Sequence, residues 1–322
     1  MFQGMEYVYE VYKEKSFSKA AANLFISQPS LSANVRRVEA RIGYPVFDRS
    51  TKPLGLTECG EQYIRCVERI MNIEKDFSDF INDWGGLKTG TLILGGSNLF
   101  SSWILPPLMA DFAALYPQIQ IRLVEESTVK LTEMLQSGSI DLVLDNTSLN
   151  PEIFDNFLYQ EEHLLLAVPG SFPVNDSLRD FQLSVSDIQT GKFLNPQIPS
   201  VPLSRFKKEP FIMLKQENDT GKRALEICRK HHFDPIVTFE MDQQMTSYNV
   251  TCSGMGISFI GDIMITKVTP NPNVVYYKLP LKDNCRNICF YWKKGRYLSR
   301  AMEEFLKMCT QNNRKIGCCT AP

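Results

Sequence analysis

Three groups of side chains along this chain have the types and spacing to do chemistry. Cys228 with His231 and His232 sets a thiol and two imidazoles at helical spacing, and Cys285 with Cys289 sets two thiols four residues apart. Neither is a paired CxxC set, neither has an evident further ligand, and cysteine is commonly buried for packing alone. No metal site and no cofactor are therefore expected. The only histidines are His163, His231 and His232, and there is no GxSxG or phosphate-binding loop, so no catalytic constellation is visible and an enzyme is not expected. The third group is cationic: Arg36, Arg37, Arg41, Arg49 and Lys52 stand against only Glu39 and Asp48. Although the whole chain has a net charge of −1, residues 1–57 carry eight Lys/Arg against five Asp/Glu. Such a local excess suits phosphate contact, and equally an ordinary solvated face unless a scaffold presents it.

The elements that would present it can be read from spacing. Met5, Val8, Tyr9 and Tyr12 form a first helical stripe, closed by Glu14, Lys15 and Ser16. Ser18 is the expected N-cap of a second helix, Lys19 to Phe25, whose Ala20, Ala21 and Ala22 allow close backbone approach. Ile26 and Ser27 break the chain, with Ser27 as N-cap and Pro29 in the first turn of a third helix. Two helices joined by such a short turn make a helix-turn-helix pattern. In the third helix Leu31, Val35, Val38 and Ile42 share one buried stripe, which turns Pro29, Ser30, Ala33, Arg36, Arg37 and Ala40 outward. Short side chains at the start permit approach to base edges, arginines further along reach phosphate or guanine, and Gln28 is placed to read an adenine edge. Gly43 ends the helix, and Arg49 to Leu56 reads as a turn between two short strands, a wing whose Arg49 and Lys52 lie beside the backbone.

Residues 17–60, FSKAAANLFISQPSLSANVRRVEARIGYPVFDRSTKPLGLTECG, resemble the LysR-type transcriptional regulators along their whole length. The resemblance is carried by Ser16 to Ala21, Ser27 to Ser32, Arg36-Arg37-Val38-Glu39, Gly43, Phe47-Asp48-Arg49, and Leu56-Thr57 before Gly60. It implies that Gln28, Pro29, Ser30, Ser32, Ala33, Asn34, Arg36, Arg49 and Lys52 lie at or near double-stranded DNA, beside the capping Ser27 and the outward Arg37. Ala33 departs from the arginine or glutamine many members carry, and Asn34 stands where glutamine is frequent, which leaves the operator sequence open.

From Thr57, the expected N-cap, to the stop at Gly85-Gly86 runs one helical pattern with Tyr63, Cys66, Ile70, Ile73, Phe77, Phe80 and Trp84 at alternating spacings of three and four. That is a heptad seam, which wants a partner helix or a face of its own chain. The resemblance implies the former, a homodimer or homotetramer, with RNA polymerase among the partners. Residues 91–322 alternate strand and helix patterns, an α/β arrangement. Here the resemblance is carried by Gly90 to Gly95, Leu105-Pro106, Tyr116-Pro117, Gly138 with Asp141-Leu142, and Gly254 to Ile257. It implies a periplasmic-binding-protein-like regulatory domain of two α/β subdomains with an effector cleft between them. The expected fold class is thus α + α/β: a winged helix-turn-helix over 1–57, a linker helix over 58–88, and a regulatory domain over 89–311. Its first subdomain would span about 89–165 and 271–311, its second 166–270, with crossovers near 165 and 270, and a disordered tail over 312–322.

Ligands in open α/β folds lie outside the carboxyl ends of strands, where helix N-termini present free N–H groups. Ser97, Asn98, Ser101, Ser127, Thr128, Asn146, Asn218, Asp219 and Thr220 occupy such places and make the expected cleft for a small polar or anionic effector, although each residue type is also a common cap. The N-terminal segment has charges where a signal peptide would be apolar, and no run approaches the roughly 18 apolar residues of a membrane span, so a cytoplasmic protein with no membrane partner is expected. Nine cysteines without secretory features read as reduced thiols. The alternative is a solute-binding or redox-sensing module, through Cys285, Cys289 or Cys318-Cys319, in which DNA binding is secondary.

Overall fold

The computed structural model describes residues 1–84 and 90–315. Residues 1–81 form one compact unit and those from 82 onward a second. The first begins with α1 (Met5–Glu14), α2 (Phe17–Asn23) and α3 (Gln28–Ile42), followed by β1 (Phe47–Asp48), β2 (Gly55–Leu56) and the long α4 (Glu58–Trp84). Val8, Val11, Ala20, Ala21, Leu31, Val35 and Val38 bury together between the helices, as the helical stripes require. The cap of α2 is Ser16 and not Ser18: Ser16 is extended and its hydroxyl accepts from the Lys19 N–H. Phe17 enters the helix with its ring edge-on to Phe47, so the helix starts earlier than its polar residues indicate.

Thr57 caps α4, accepting from the Gly60 N–H at 2.9 Å and donating to the Pro45 carbonyl at 2.7 Å. Gly60 packs so closely on the Val46 carbonyl that a Cβ there would collide with backbone. The heptad stripe divides: Tyr63, with neighbouring Ile64 and Val67, is buried in the core of the first unit, whereas Ile73, Phe77 and Trp84 are largely exposed. The expected stop at Gly85-Gly86 lies outside the described residues.

The second unit alternates strands and helices. In chain order these are β3 (Thr91–Gly96), α5 (Leu105–Leu115), β4 (Gln120–Glu125), α6 (Thr128–Ser137), β5 (Leu142–Asp145) and the sixteen-residue β6 (Phe154–Pro169). Then come β7 (Gln182–Leu183), α7 (Val185–Gln189), β8 (Pro210–Leu214), α8 (Asp219–Lys230), β9 (Ile236–Met241) and α9 (Gln244–Cys252). The chain closes with β10 (Ile257–Gly261), α10 (Asp262–Lys267), β11 (Val274–Lys278), α11 (Leu281–Asn284), β12 (Cys285–Lys293) and α12 (Arg300–Lys315).

Two sheets share the long strand. The first runs β4-β3-β5-β12-β6 and the second β9-β8-β10-β6-β11-β7. Residues 154–163 of β6 pair with β12, while 164–169 pair with β10 and β11, so β6 carries the chain from one subdomain to the other. The return crossing differs from the expected position near 270. Val274–Lys278 still pairs with β6 and β7, so the chain crosses back between α11 and the start of β12. The reason is that Val274, Tyr276 and Tyr277 bury in the second sheet's two cores, which an isolated short strand pattern does not reveal. At the C-terminus, α12 continues through residues 312–315, where the sequence pattern places the start of the tail; 316–322 lie outside the described residues. Helices pack on both faces of the first sheet, α5 and α12 on one and α6 on the other.

Candidate functional site

The outward face of α3 is built by its cap and its buried stripe. Ser27 accepts from the Ser30 N–H at 3.3 Å with Pro29 in the first turn, and Gly43 ends the helix at φ 87°. Gln28, Pro29, Ser30, Ala33, Arg36 and Arg37 are exposed or half-exposed on this face, with Ser32 and Asn34 beside them. Arg37 donates to the Asn34 side-chain oxygen at 3.0 Å, so these two present as a unit. Arg36 has no ion-pair or hydrogen-bond partner among the described residues and extends from a face of small side chains, the arrangement a groove-reading helix needs.

The wing is fastened to α3 by Glu39, which composition marks only as a counter-charge. Its carboxylate accepts from the Val46 N–H at 2.9 Å and the Phe47 N–H at 3.4 Å, and pairs with Arg49 at 3.2 Å. Arg49 also lies over the Phe17 ring at 5.4 Å, yet 41% of its side chain stays exposed. It therefore both braces the wing and faces solvent. At the hairpin, Ser50 donates from its hydroxyl and its N–H to Asp48, holding that carboxyl below its ordinary value. Thr51 accepts from Gly55, and Lys52 is exposed beside them.

In the second unit, a small cleft of about 360 Å³ including its open mouth is lined by Ser97, Leu99, Phe100, Thr128, Asn146, Asn218, Thr220, Gln243 and Gln244. Five of the nine expected residues meet there: Ser97, Thr128, Asn146, Asn218 and Thr220. The other four do not line it. Asn98 donates to the exposed Glu125, Ser101 donates to the Gly96 carbonyl inside the core, and Ser127 caps α6 by accepting from Lys130. Asp219 is committed to Arg223 at 2.7 Å and Arg286 at 3.0 Å. Leu99 and Phe100 carry no local signal for the cleft; a π-helical turn, Phe100–Ile104, precedes α5 and directs them inward. Gln243 and Gln244 open α9, an element whose apolar residues show no single stripe. Four helix starts thus contribute to the cleft: the turn before α5, α6, α8 and α9.

Beneath the cleft lies a buried polar network that sequence spacing does not reveal. Arg286 donates to Glu162 at 2.6 Å, to Asp219 at 3.0 Å and to Thr220 at 2.8 Å, and Asn146 donates to Glu162 at 3.1 Å. Burial opposes the Arg286 charge, but Glu162 and Asp219 together hold the guanidinium above its ordinary value. Burial pushes the Glu162 carboxyl up, against the pull of Arg286. Asp145, also buried, is pushed up by desolvation although Thr147 and Thr128 donate to it at 2.7 and 2.9 Å. Only the packing of β5, β6 and β12 with the start of α8 brings these charges together.

No disulfide joins the described cysteines. Cys228 is buried, with its thiol pushed up to about 12 by desolvation, and Cys285 and Cys289 are separated along β12 by roughly 13 Å of extended chain. Cys318 and Cys319 lie outside the described residues. Among the described residues no helix is long and apolar enough to cross a membrane.

A winged helix-turn-helix and a two-subdomain fold with a polar cleft define a DNA-binding regulator that carries its own ligand-binding domain. Comparison with known proteins agrees. Residues 2–61 match the model of the bacterial regulatory helix-turn-helix protein of the lysR family, and residues 85–314 match the LysR substrate binding domain. The uncharacterized HTH-type transcriptional regulator YcgK of Bacillus subtilis (strain 168) is 26% identical over 98% of this chain and 96% of its own length. Full-length OxyR from Pseudomonas aeruginosa shares the fold at a TM-score of 0.69 and 17% identity, over 99% of this chain and 95% of that one. Full-length CbnR complexed with its target DNA does so at 0.60 and 16%, over 97% and 99%. The chain belongs to the LysR family: it is a LysR-type transcriptional regulator with an effector-binding domain, and not an enzyme.

Proposed function

We propose that this regulator reads operator DNA with the outward face of α3 and is reset by a small anionic effector seated between its two subdomains. The observation that carries the first half is the face itself. Gln28, Pro29, Ser30 and Ala33 permit close approach to base edges, Ser32 and the Asn34–Arg37 pair flank them, and Arg36 is free to extend. Ser27 sets the helix start, and Arg49 and Lys52 place the wing along the backbone, contributing position more than sequence readout. A homodimer or homotetramer would present such helices in pairs to a partly palindromic site. Its exposed Ile73, Phe77 and Trp84 suit pairing of α4 helices. The reading places the protein in the cytoplasm, where RNA polymerase receives the signal.

The effector's chemistry follows from the cleft. Its lining comes largely from the starts of helices, which favour a negative group, while Asp219 and Glu162 are already paired with Arg286 and Arg223. Both amide atoms of buried Gln244 lack a protein partner among the described residues, which suits a ligand offering a donor and an acceptor. Such a ligand shifts closure of the subdomains only by its difference in affinity for the two states.

Binding of the purified protein to genomic fragments, beginning upstream of its own gene, tests the first half over a salt series with and without Arg36→Ala. Tight, salt-dependent binding that weakens in the variant is expected; weak, sequence-blind binding by both would overturn it. A thermal-shift screen of small carboxylates against the wild type and Gln244→Leu tests the second. Stabilisation confined to the wild type is expected, and a panel acting equally on both would remove Gln244 from the site.

A further inference from the structure

The two crossing strands carry a second polar cluster on the face opposite the Glu162–Arg286 network. In the antiparallel register of β6 and β12, Cys285 stands opposite His163, Arg286 opposite Glu162, and Asn287 opposite Glu161. Because strand side chains alternate, Glu161, His163 and Cys285 project from one face while Glu162 and Arg286 project from the other. One donor atom from each of Glu161, His163 and Cys285 lies within 4.8 Å of the other two.

We propose that Glu161, His163 and Cys285 form a binding site for a divalent transition-metal ion of the zinc class at the crossover between the subdomains. The donor set is one carboxylate oxygen, one imidazole nitrogen and one thiolate sulfur, which suits Zn²⁺ and its neighbours and not Mg²⁺ or Ca²⁺. In a tetrahedral zinc site the donors sit about 3–4 Å apart, given metal–ligand lengths of about 2.0–2.3 Å. Glu161 and Cys285 are both exposed, so side-chain rotation can close that difference.

The imidazole is already oriented. His163 is buried, and its Nδ1 lies 3.5 Å from an Asp262 carboxylate oxygen. The other oxygen of Asp262 accepts from the His163 N–H at 3.0 Å and the Ile263 N–H at 2.8 Å, which fixes the carboxylate against the strand. A carboxylate behind a histidine ring is the support that metal-binding imidazoles use, leaving the second ring nitrogen for the ion. Three protein ligands leave a further position for water, and binding releases the Cys285 thiol proton to solvent. An ion there would tie the outgoing crossover strand to the returning one. This site depends on neither the operator nor the effector reading.

The test uses the reduced, chelator-stripped full-length chain carrying Cys318→Ser and Cys319→Ser, titrated with Co²⁺ and then Zn²⁺. One Co²⁺ per chain should bind with a thiolate charge-transfer absorption that Zn²⁺ displaces. Cys285→Ser should abolish that absorption, His163→Ala should weaken binding by about 100-fold or more, and Asp262→Asn by about 10- to 100-fold with the absorption retained. Cys66→Ser and His232→Ala should leave the titration unchanged. Because His163 is buried, Cys285→Ser and Glu161→Gln, both at exposed positions, decide the question if His163→Ala does not fold. Absence of saturable binding, or a charge-transfer absorption that survives Cys285→Ser, overturns the site.

Discussion

Arg36 and Arg286 show how differently the two halves of this regulator use the same side chain. Arg36 extends from a helix face into solvent and has no partner among the described residues, whereas Arg286 is buried, donating to Glu162, Asp219 and Thr220 beneath the cleft. An exposed arginine costs the fold almost nothing and remains available for phosphate or guanine. A buried one is inseparable from its partners, because removing it strands the Glu162 carboxylate in a desolvated place and leaves Asp219 with Arg223 alone. At Arg36 the head thus keeps recognition chemistry apart from stability, although Arg49 combines the two, while the regulatory domain builds its cleft floor from the charges that hold its subdomains' strands together.

The largest expected effect breaks the buried side of that comparison. Arg286→Met should destabilise the regulatory unit by about 3–5 kcal/mol, read by urea unfolding, since Glu162 and Asp219 lose their shared counter-charge. Arg36→Ala should lower operator affinity by about 1–3 kcal/mol while leaving unfolding within about 0.5 kcal/mol of wild type. Fluorescence anisotropy over a salt series separates its two roles: a slope reduced by about one marks a phosphate contact, an unchanged slope with relaxed sequence preference marks a base contact. If both arginines shift stability equally, the division between the halves is wrong.

Smaller changes sharpen the same contrast. Ser27→Ala removes the hydroxyl that accepts from Ser30 and should cost the head about 1 kcal/mol in thermal unfolding, with operator affinity falling alongside. Asp145→Asn should act through pH. Burial raises the native Asp145 pKa above its unfolded value, so its favourable contribution is complete in acid, below the unfolded value, and is lost as pH rises through the folded one. The asparagine variant should thus gain stability relative to wild type as pH rises above the unfolded carboxyl's value of about 4, and a difference independent of pH would rule out ionised Asp145 as a cost to the fold.

The head is legible in the sequence because its determinants are local. Ser27, Pro29 and Gly43 punctuate a helix whose stripe, Leu31 to Val38, decides what faces out, and each of these signals acts over a few residues. The misplaced cap there, Ser18 for Ser16, traces to a tertiary contact, Phe17 against Phe47, which draws an aromatic residue into the first turn of α2. Only the start of the α4 stripe packs in the head, where Tyr63 stacks on Phe2, a partner about sixty positions away in the chain, while Cys66 one turn on is exposed.

The regulatory domain is legible as alternating elements but not as a site. Ser97, Thr128, Asn146, Asn218 and Thr220 stand at strand ends and meet in the cleft; Asn98, Ser101, Ser127 and Asp219 have the same local signature and turn to caps, core or ion pairs. Local chemistry cannot separate these two sets, because a hydroxyl that caps a helix and one that faces a ligand occupy similar positions in sequence. The return crossover shows the same limit, since β11 belongs to the second sheet through pairing with β6 more than a hundred residues earlier.

By itself the sequence determined the helix-turn-helix, its outward residues, the presence of an α/β ligand domain and the family, because helical and strand periods and caps act over a few residues. Only the tertiary structure decided which polar side chains line the cleft. It also put Glu162 with Arg286 on one face of the crossover and Glu161, His163 and Cys285 on the other. Those groupings depend on the register between two strands 124 residues apart at Arg286 and Glu162, and a shift of one residue would exchange their faces.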